Sequence, residues 1–255
     1  MSRDPLVMYP NEYPADTPET PLWLAAKLGC YDDVISLITS DHGVEGFGGY
    51  MHCSPLAIAA VHNHADIVLE LVKHGADLLS KDRYHTQTAL HATVRQYNAR
   101  SSNLLERIDI ASILIRAMVN RGLTLDSTDE CGRTALHLAV ADRNISIVRC
   151  LIDNGASISA RDEAGMTALK YSIIEHNLGI TKLLIESGAD INERYHHGRM
   201  PLHLCVNTRV HELLRFLLAN GADVHATDHG GLNAIAIASQ QGWLDGVDII
   251  KNESA

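Results

Sequence analysis

Residues 134–140 read TALHLAV, and the phrase does not stand alone. It returns as TALHATV at 88–94 and MPLHLCV at 200–206. Weaker copies are TPLWLAA (20–26), SPLAIAA (54–60), TALKYSI (167–173) and NAIAIAS (233–239). The starts at 20, 54, 88, 134, 167, 200 and 233 are separated by 34, 34, 46, 33, 33 and 33 residues. A second phrase keeps step: KHGAD (73–77), DNGAS (153–157), ESGAD (186–190) and ANGAD (219–223), with NRGLT (120–124) a looser copy. Self-similarity at a fixed period of this size is the mark of a repeat architecture.

Within each unit the residue types dictate local structure. A Thr or Ser hydroxyl caps the free N–H groups of a helix start, and Pro tolerates the first helical position. A polar break follows about two turns later. Then comes a second amphipathic segment, such as ISIVRCLIDNG or LGITKLLIESG, with apolar residues at helical spacing. The Gly that ends it (Gly75, Gly122, Gly155, Gly188, Gly221) suits a left-handed C-cap, which a β-carbon would penalise. A D-x-x-G stretch (Asp129 to Gly132, Asp162 to Gly165, Asp228 to Gly231) makes a tight turn before the next unit. A helix pair of this size cannot bury its apolar face alone and must stack on its neighbours.

The pattern resembles the ankyrin-repeat family, whose T-P-L-H-x-A signature recurs about every 33 residues. The resemblance covers residues 20–255, with seven copies in phase. It implies an all-α repeat solenoid, a curved stack of antiparallel helix pairs with projecting β-hairpin loops, or fingers. Residues 1–19 fall outside it; they hold four of the seven prolines, with Tyr9 and Tyr13, and read as an extended tail. The last unit, 233–255, is shortened and lacks the GAD phrase, as befits a cap that must not present a sticky face. Trp243 reads as packing for that cap.

The chain holds fifteen histidines, three of them in ERYHHGRMPLHL (193–204). The resemblance implies a structural role for the His of T-P-L-H, hydrogen-bonded near the base of a finger, and it carries over to His91, His137 and His203. Trp23, Ala57, Lys170 and Ala236 occupy that position elsewhere. His196 and His197 belong to a finger tip, a different element from His203. No CxxC or HExxH supplies the four donors of a closed zinc site, and HELLR (211–215) lacks the second His. No catalytic residue, metal or cofactor is expected.

Positions that merely build a stack should look alike, so departures are informative. Tyr195 stands where other fingers have Asp. KDRYHTQT (81–88) gains a residue and loses its Gly, leaving Arg83, Tyr84 and His85 on an irregular tip. GFGGYMHCS (46–54) places Tyr50, Met51 and His52 on another. Tyr and Arg are enriched at binding hot spots. The 46-residue spacing holds an excess of thirteen, placed near 97–109 between the helices of the third unit, or as a lengthened second helix. Such an insertion is either functional or a tolerated surface loop. LIESGADIN (184–192) resembles the Leu-x5-Asp-Ile-Asn pattern of hydroxylated ankyrin asparagines and marks Asn192 as a candidate for that modification.

Bulk properties narrow the function. The chain has 255 residues, 46% hydrophobic and 20% charged, which are globular proportions. A formal charge of −10 disfavours nucleic acid and anionic lipid. No apolar stretch reaches the roughly 18–20 residues of a membrane span, and the N-terminus shows no secretory signal. Five scattered cysteines suit a reducing compartment, cytosol or nucleus. The resemblance implies a protein–protein interaction module, an adaptor or inhibitor, monomeric on its own, that binds another protein through its concave surface. By position that surface comprises Tyr50, His52, Arg83, Tyr84, His85, Tyr195, His196 and His229 on the fingers. Lys27, His62, Arg95, Gln96, Asp142, Glu175 and Thr208 lie along the groove. Size and acidity are similar to those of small inhibitors of the inhibitor-of-NF-κB type, without their phospho-degron and acidic tail. The alternative is an enzyme or a small-ligand or metal-binding protein that uses the groove.

Overall fold

Thr20, Ser54 and Thr167 each accept a backbone N–H three residues on, from Trp23, Ala57 and Lys170 at 3.2–3.3 Å. Asn233 does the same for Ala236 at 2.9 Å. Each cap opens a short helix in the computed structural model, which describes residues 19–40, 43–49, 52–95 and 104–253. Among these residues seven helix pairs follow one another. They are α1 (Pro21–Leu28) with α2 (Tyr31–Thr39), α3 (Pro55–Val61) with α4 (Ala65–Lys73), and α5 (Ala89–Val94) with α6 (Leu104–Asn120). Then come α7 (Ala135–Ala141) with α8 (Ile145–Asp153), and α9 (Ala168–Ile174) with α10 (Leu178–Glu186). The last are α11 (Pro201–Thr208) with α12 (His211–Ala219), and α13 (Ala234–Gln240) with α14 (Leu244–Glu253).

One residue between paired helices adopts left-handed backbone. It is Asn63, Arg143, His176 or Arg209 in four of the pairs, at φ 61°, 57°, 54° and 55°. A side chain there costs conformational energy. Arg143 and Arg209 offset part of it by reaching the next repeat, donating to the Glu175 and Gln241 carbonyls at 2.8 Å.

The core is one continuous apolar seam along the stack. First helices contribute small residues such as Ala25, Ala26, Ala59, Ala60 and Ala139, buried almost completely, so their backbones approach closely. Second helices contribute the branched side chains: Val34, Ile67, Val68, Leu71, Ile147, Val148 and Leu151. First helices therefore stack more tightly than second helices at every junction but the last. A stack tighter on one side curves toward it, so the first helices line the concave face.

The excess of the third unit goes partly into helix. α6 has 17 residues where α2, α4, α8, α10 and α12 have nine. Residues 96–103 lie outside the described residues. Beyond α6, the Arg121 guanidinium donates to the Ala76 and Val72 carbonyls at 2.7 and 2.6 Å, satisfying the exposed C-terminal end of α4.

The fingers are tighter than hairpins with ladders. Among the described residues the only β-pairing is an isolated bridge between Gly48 and Cys53. Each later finger closes on one backbone bond: Asp82 to Gln87, Asp129 to Arg133, Asp162 to Met166, Tyr195 to Arg199 and Asp228 to Leu232, at 2.8–3.0 Å.

Candidate protein-interaction surface

Where a finger carries Asp, its carboxylate holds the turn. Asp129 accepts the Cys131 and Arg133 amides at 2.9 Å and pairs with the Arg133 guanidinium at 2.7 Å. Burial alone would raise that carboxyl's pKa, but the arginine and the two amides bring it below the usual range. Neighbouring tips are tied by backbone bonds, Glu130 N–H to His85 carbonyl, Glu163 to Cys131 and His229 to His197, at 2.9–3.0 Å.

Beneath the fingers, His137 Nδ1 accepts the Thr134 N–H at 3.1 Å, while Nε2 donates to the Ala160 and Met166 carbonyls at 3.1 and 3.0 Å. His91 bridges Thr88 to the Arg133 carbonyl, and His203 bridges Met200 to the Ala226 carbonyl. Acceptance at Nδ1 and donation from Nε2 define the neutral imidazole. Burial lowers all three pKa values, that of His91 from 6.5 to about 4.

The fifth unit solves the same problem differently. Lys170 replaces the histidine, and the Thr167 hydroxyl turns instead to Glu193 Oε1 at 2.5 Å. The Tyr195 hydroxyl donates to the same oxygen at 2.5 Å, and Arg161 pairs with Oε2 at 3.1 Å. Tyr195 is therefore not an exposed tip: it is 6% exposed, its ring packed inward under Lys170. The reason is chemical. A phenol cannot accept the turn amides as a carboxylate does, so the turn becomes a 3-10 segment, His196–Gly198, and the ring is buried against the carboxylate that anchors it. Burial and Glu193 raise the Tyr195 pKa well above that of an ordinary phenol.

The other expected contact residues fall at several depths. Arg83, His196 and His229 are exposed; His52, Tyr84 and His85 are half-buried. His85 pairs with Glu130 at 2.8 Å, His52 stacks on Phe47 with ring centres 4.9 Å apart, and the His196 and His197 rings meet edge-on at 4.2 Å. Arg95, Asp142, Glu175 and Thr208 are half-buried at the far rim of the groove, where Arg143 pairs with Glu175 at 3.2 Å and Thr208 donates to the Cys205 carbonyl. Tyr50, Gln96 and the 1–18 part of the tail lie outside the described residues. Asn192 spans two repeats, donating to the Gly221 carbonyl at 3.0 Å and accepting the Asp223 N–H at 2.9 Å. Trp243 is buried, 5.3 Å from the His211 ring.

Between the rims runs a floor that inspection of tips alone overlooks. Leu24, Tyr171 and Leu204, with Val61, Ala141 and Ile174 one turn on, present apolar surface to the groove; Leu24 and Ile174 are 39% and 44% exposed. The seven first helices contain no Asp or Glu, though the chain's formal charge is −10. The position after the T-P-L-H histidine carries part of this stripe in Leu24, Tyr171 and Leu204, whereas Ile58 and Leu138 at the same position are buried. Among the described residues, no three His, Cys, Asp or Glu side chains gather as metal ligands would, and no helix is long and apolar enough to cross a membrane.

Repeat spacing, helix pairing and finger geometry agree with a sequence comparison. A three-copy ankyrin-repeat model matches residues 6–82 and 90–195, and a single-repeat model matches residues 197–229. The chain belongs to the ankyrin-repeat family. Among solved structures, 608 chains match. One is the ankyrin repeat domain of Bcl-3, titled a unique member of the IkappaB protein family, with a TM-score of 0.80 and 24% identity over 92% of this chain and 100% of that one. At this identity the likeness speaks for the ankyrin fold alone. No curated protein sequence matches the chain.

Proposed function

We propose that this ankyrin-repeat protein is an interaction module that takes a partner protein into its concave groove and acts as an adaptor or inhibitor. The observation that carries the reading is the apolar floor on the concave face, where Ala141 and Ile174 are exposed and Tyr171 and Leu204 are half-buried beside them. Exposed apolar side chains aligned along a groove call for a partner. The finger side of the groove offers Arg83, Tyr84, His85, His52, His196 and His229, and the opposite rim Arg95, Asp142, Glu175 and Thr208. The Bcl-3 domain supports the choice of class by fold alone. The test starts with affinity capture and mass spectrometry to obtain the partner. Ala141→Arg and Ile174→Arg should then abolish its capture with little change in the thermal melt, whereas Arg149→Ala on α8 should leave it intact. Full capture by both groove variants would sink the reading.

A further inference from the structure

The fifth unit departs from the others at three places that touch one another, and the departures leave a cation on the groove. Lys170 sits at the third position of α9, its ammonium 5.1 Å from the centre of the Tyr195 ring. The finger carboxylate Glu193 is engaged elsewhere: Oε1 takes the Thr167 and Tyr195 hydroxyls and Oε2 takes Arg161. Among the described residues no carboxylate pairs with Lys170. The aromatic face holds the ammonium by its quadrupole but satisfies none of its three N–H donors. Ile174 lies one turn on from Lys170 and is exposed, and Tyr171, the next residue, is half-buried beside it. Tyr171 is itself fixed, its hydroxyl donating to Asp162 at 2.8 Å.

This arrangement is local. In the other units the equivalent of Lys170 is a buried histidine (His91, His137, His203), a buried Trp23 or Ala57, or Ala236. Lys27 is the other lysine on a first helix, and it already pairs with Glu19 at 3.4 Å. Carboxylates lie instead on the second helices, for example Asp32, Asp33, Asp66, Glu70, Glu186 and Glu212. The helical floor is thus free of acid, with Asp142 and Glu175 at its rim, where Glu175 pairs with Arg143, and further acid lies on the second helices.

We propose that the groove receives an acidic–apolar segment of its partner, with a carboxylate seated on the Lys170 ammonium and an adjacent apolar side chain on Tyr171 and Ile174. The inference rests on the groove being the binding face. It goes further in naming the chemistry of the occupant and the residue that selects it. Charge complementarity at such a point sets specificity and register more than raw affinity.

The test uses the full chain and three fluorescein-labelled twelve-residue peptides of one pattern, leucine alternating with glutamate, glutamine or lysine, read by fluorescence anisotropy. The glutamate peptide should bind about two- to fivefold more tightly than the glutamine peptide, the size expected of one solvent-accessible charge pair, and the lysine peptide more weakly still. Lys170→Glu should reverse the order of glutamate and lysine peptides, and Lys170→Gln should bring the three together. An unchanged preference for the glutamate peptide in Lys170→Glu overturns the proposal, as does equal or absent binding of glutamate and glutamine peptides by the native chain. Ile174→Arg separates the two readings. If it lowers binding of every peptide while Lys170→Glu changes nothing, the groove stands and the carboxylate seat falls. If neither variant alters binding, both fall.

Discussion

Lys170 lies over the ring of Tyr195, so the residue that replaces the histidine of one repeat meets the residue that replaces the turn aspartate of the finger above it. Glu193, which accepts the Tyr195 hydroxyl, carries out the task the histidine performs elsewhere, tying the N-cap hydroxyl of a first helix to the finger above. These are compensating changes within one junction. The Lys170→Met and Tyr195→Leu cycle should therefore show a coupling of about 0.5–1 kcal/mol in urea melts, the range of an ammonium over an aromatic ring. Additive effects would mean that ring and ammonium are neighbours without mutual support.

Glu193 is the keystone of that junction. Replacing it with Ala leaves the Thr167 and Tyr195 hydroxyls and the Arg161 guanidinium without their shared acceptor. The cost should be about 2–4 kcal/mol, since part-buried hydrogen bonds to a charge are lost together. Glu193→Gln keeps one acceptor oxygen and should cost roughly half as much. A melt of Glu193→Ala unchanged from the native protein would mean the network is ornamental.

The three capping histidines make stability depend on pH in a defined window. Their folded pKa values are lowered by burial, so the unfolded chain binds more protons as pH falls below 6.5, and stability drops until the folded pKa is reached. For His91, with a folded value of about 4, the loss between pH 7.5 and 5.2 should be about 2 kcal/mol. His137 and His203 add in the same direction. Asp82, whose carboxyl is raised by burial, works in the opposite sense. Urea melts at the two pH values should differ by at least the His91 share, and His91→Gln should remove that share from the slope.

Period, helix pairs and the cap positions could be read from the sequence because each depends on local chemistry: a hydroxyl before a helix, a glycine after one, apolar residues every third or fourth place. Tyr195 could not be read that way. On a tip, Tyr looks like a binding residue, and only the distance to Glu193, a property of the folded turn, turns its ring inward. The insertion was half legible, because no local signal separates a longer helix from a longer loop, and α6 takes up only part of the excess. Lys170, Glu193 and Tyr195 each appear in the sequence as isolated oddities. Their coupling follows from stacking one repeat on the next.

A last comparison separates backbone strain from crowding at the finger tips. Gly165 and Gly198 have nearly the same left-handed backbone, φ 67° and 72°. An added β-carbon at Gly165 would meet nothing within 4 Å, whereas at Gly198 it would stand 2.5 Å from Cδ2 of His229 on the next finger. Gly165→Ala should cost about 1 kcal/mol, from conformation alone. Gly198→Ala adds a steric term against a ring whose own backbone N–H is tied to the His197 carbonyl at 2.9 Å, so the ring cannot simply withdraw with its backbone. The expected cost is about 2–3 kcal/mol, in the range of overpacking. His229→Ala in the Gly198→Ala background should recover most of the difference, and none in the Gly165→Ala background. Equal losses at the two glycines, with no recovery, would show that the fingers do not pack against one another in solution as they do here.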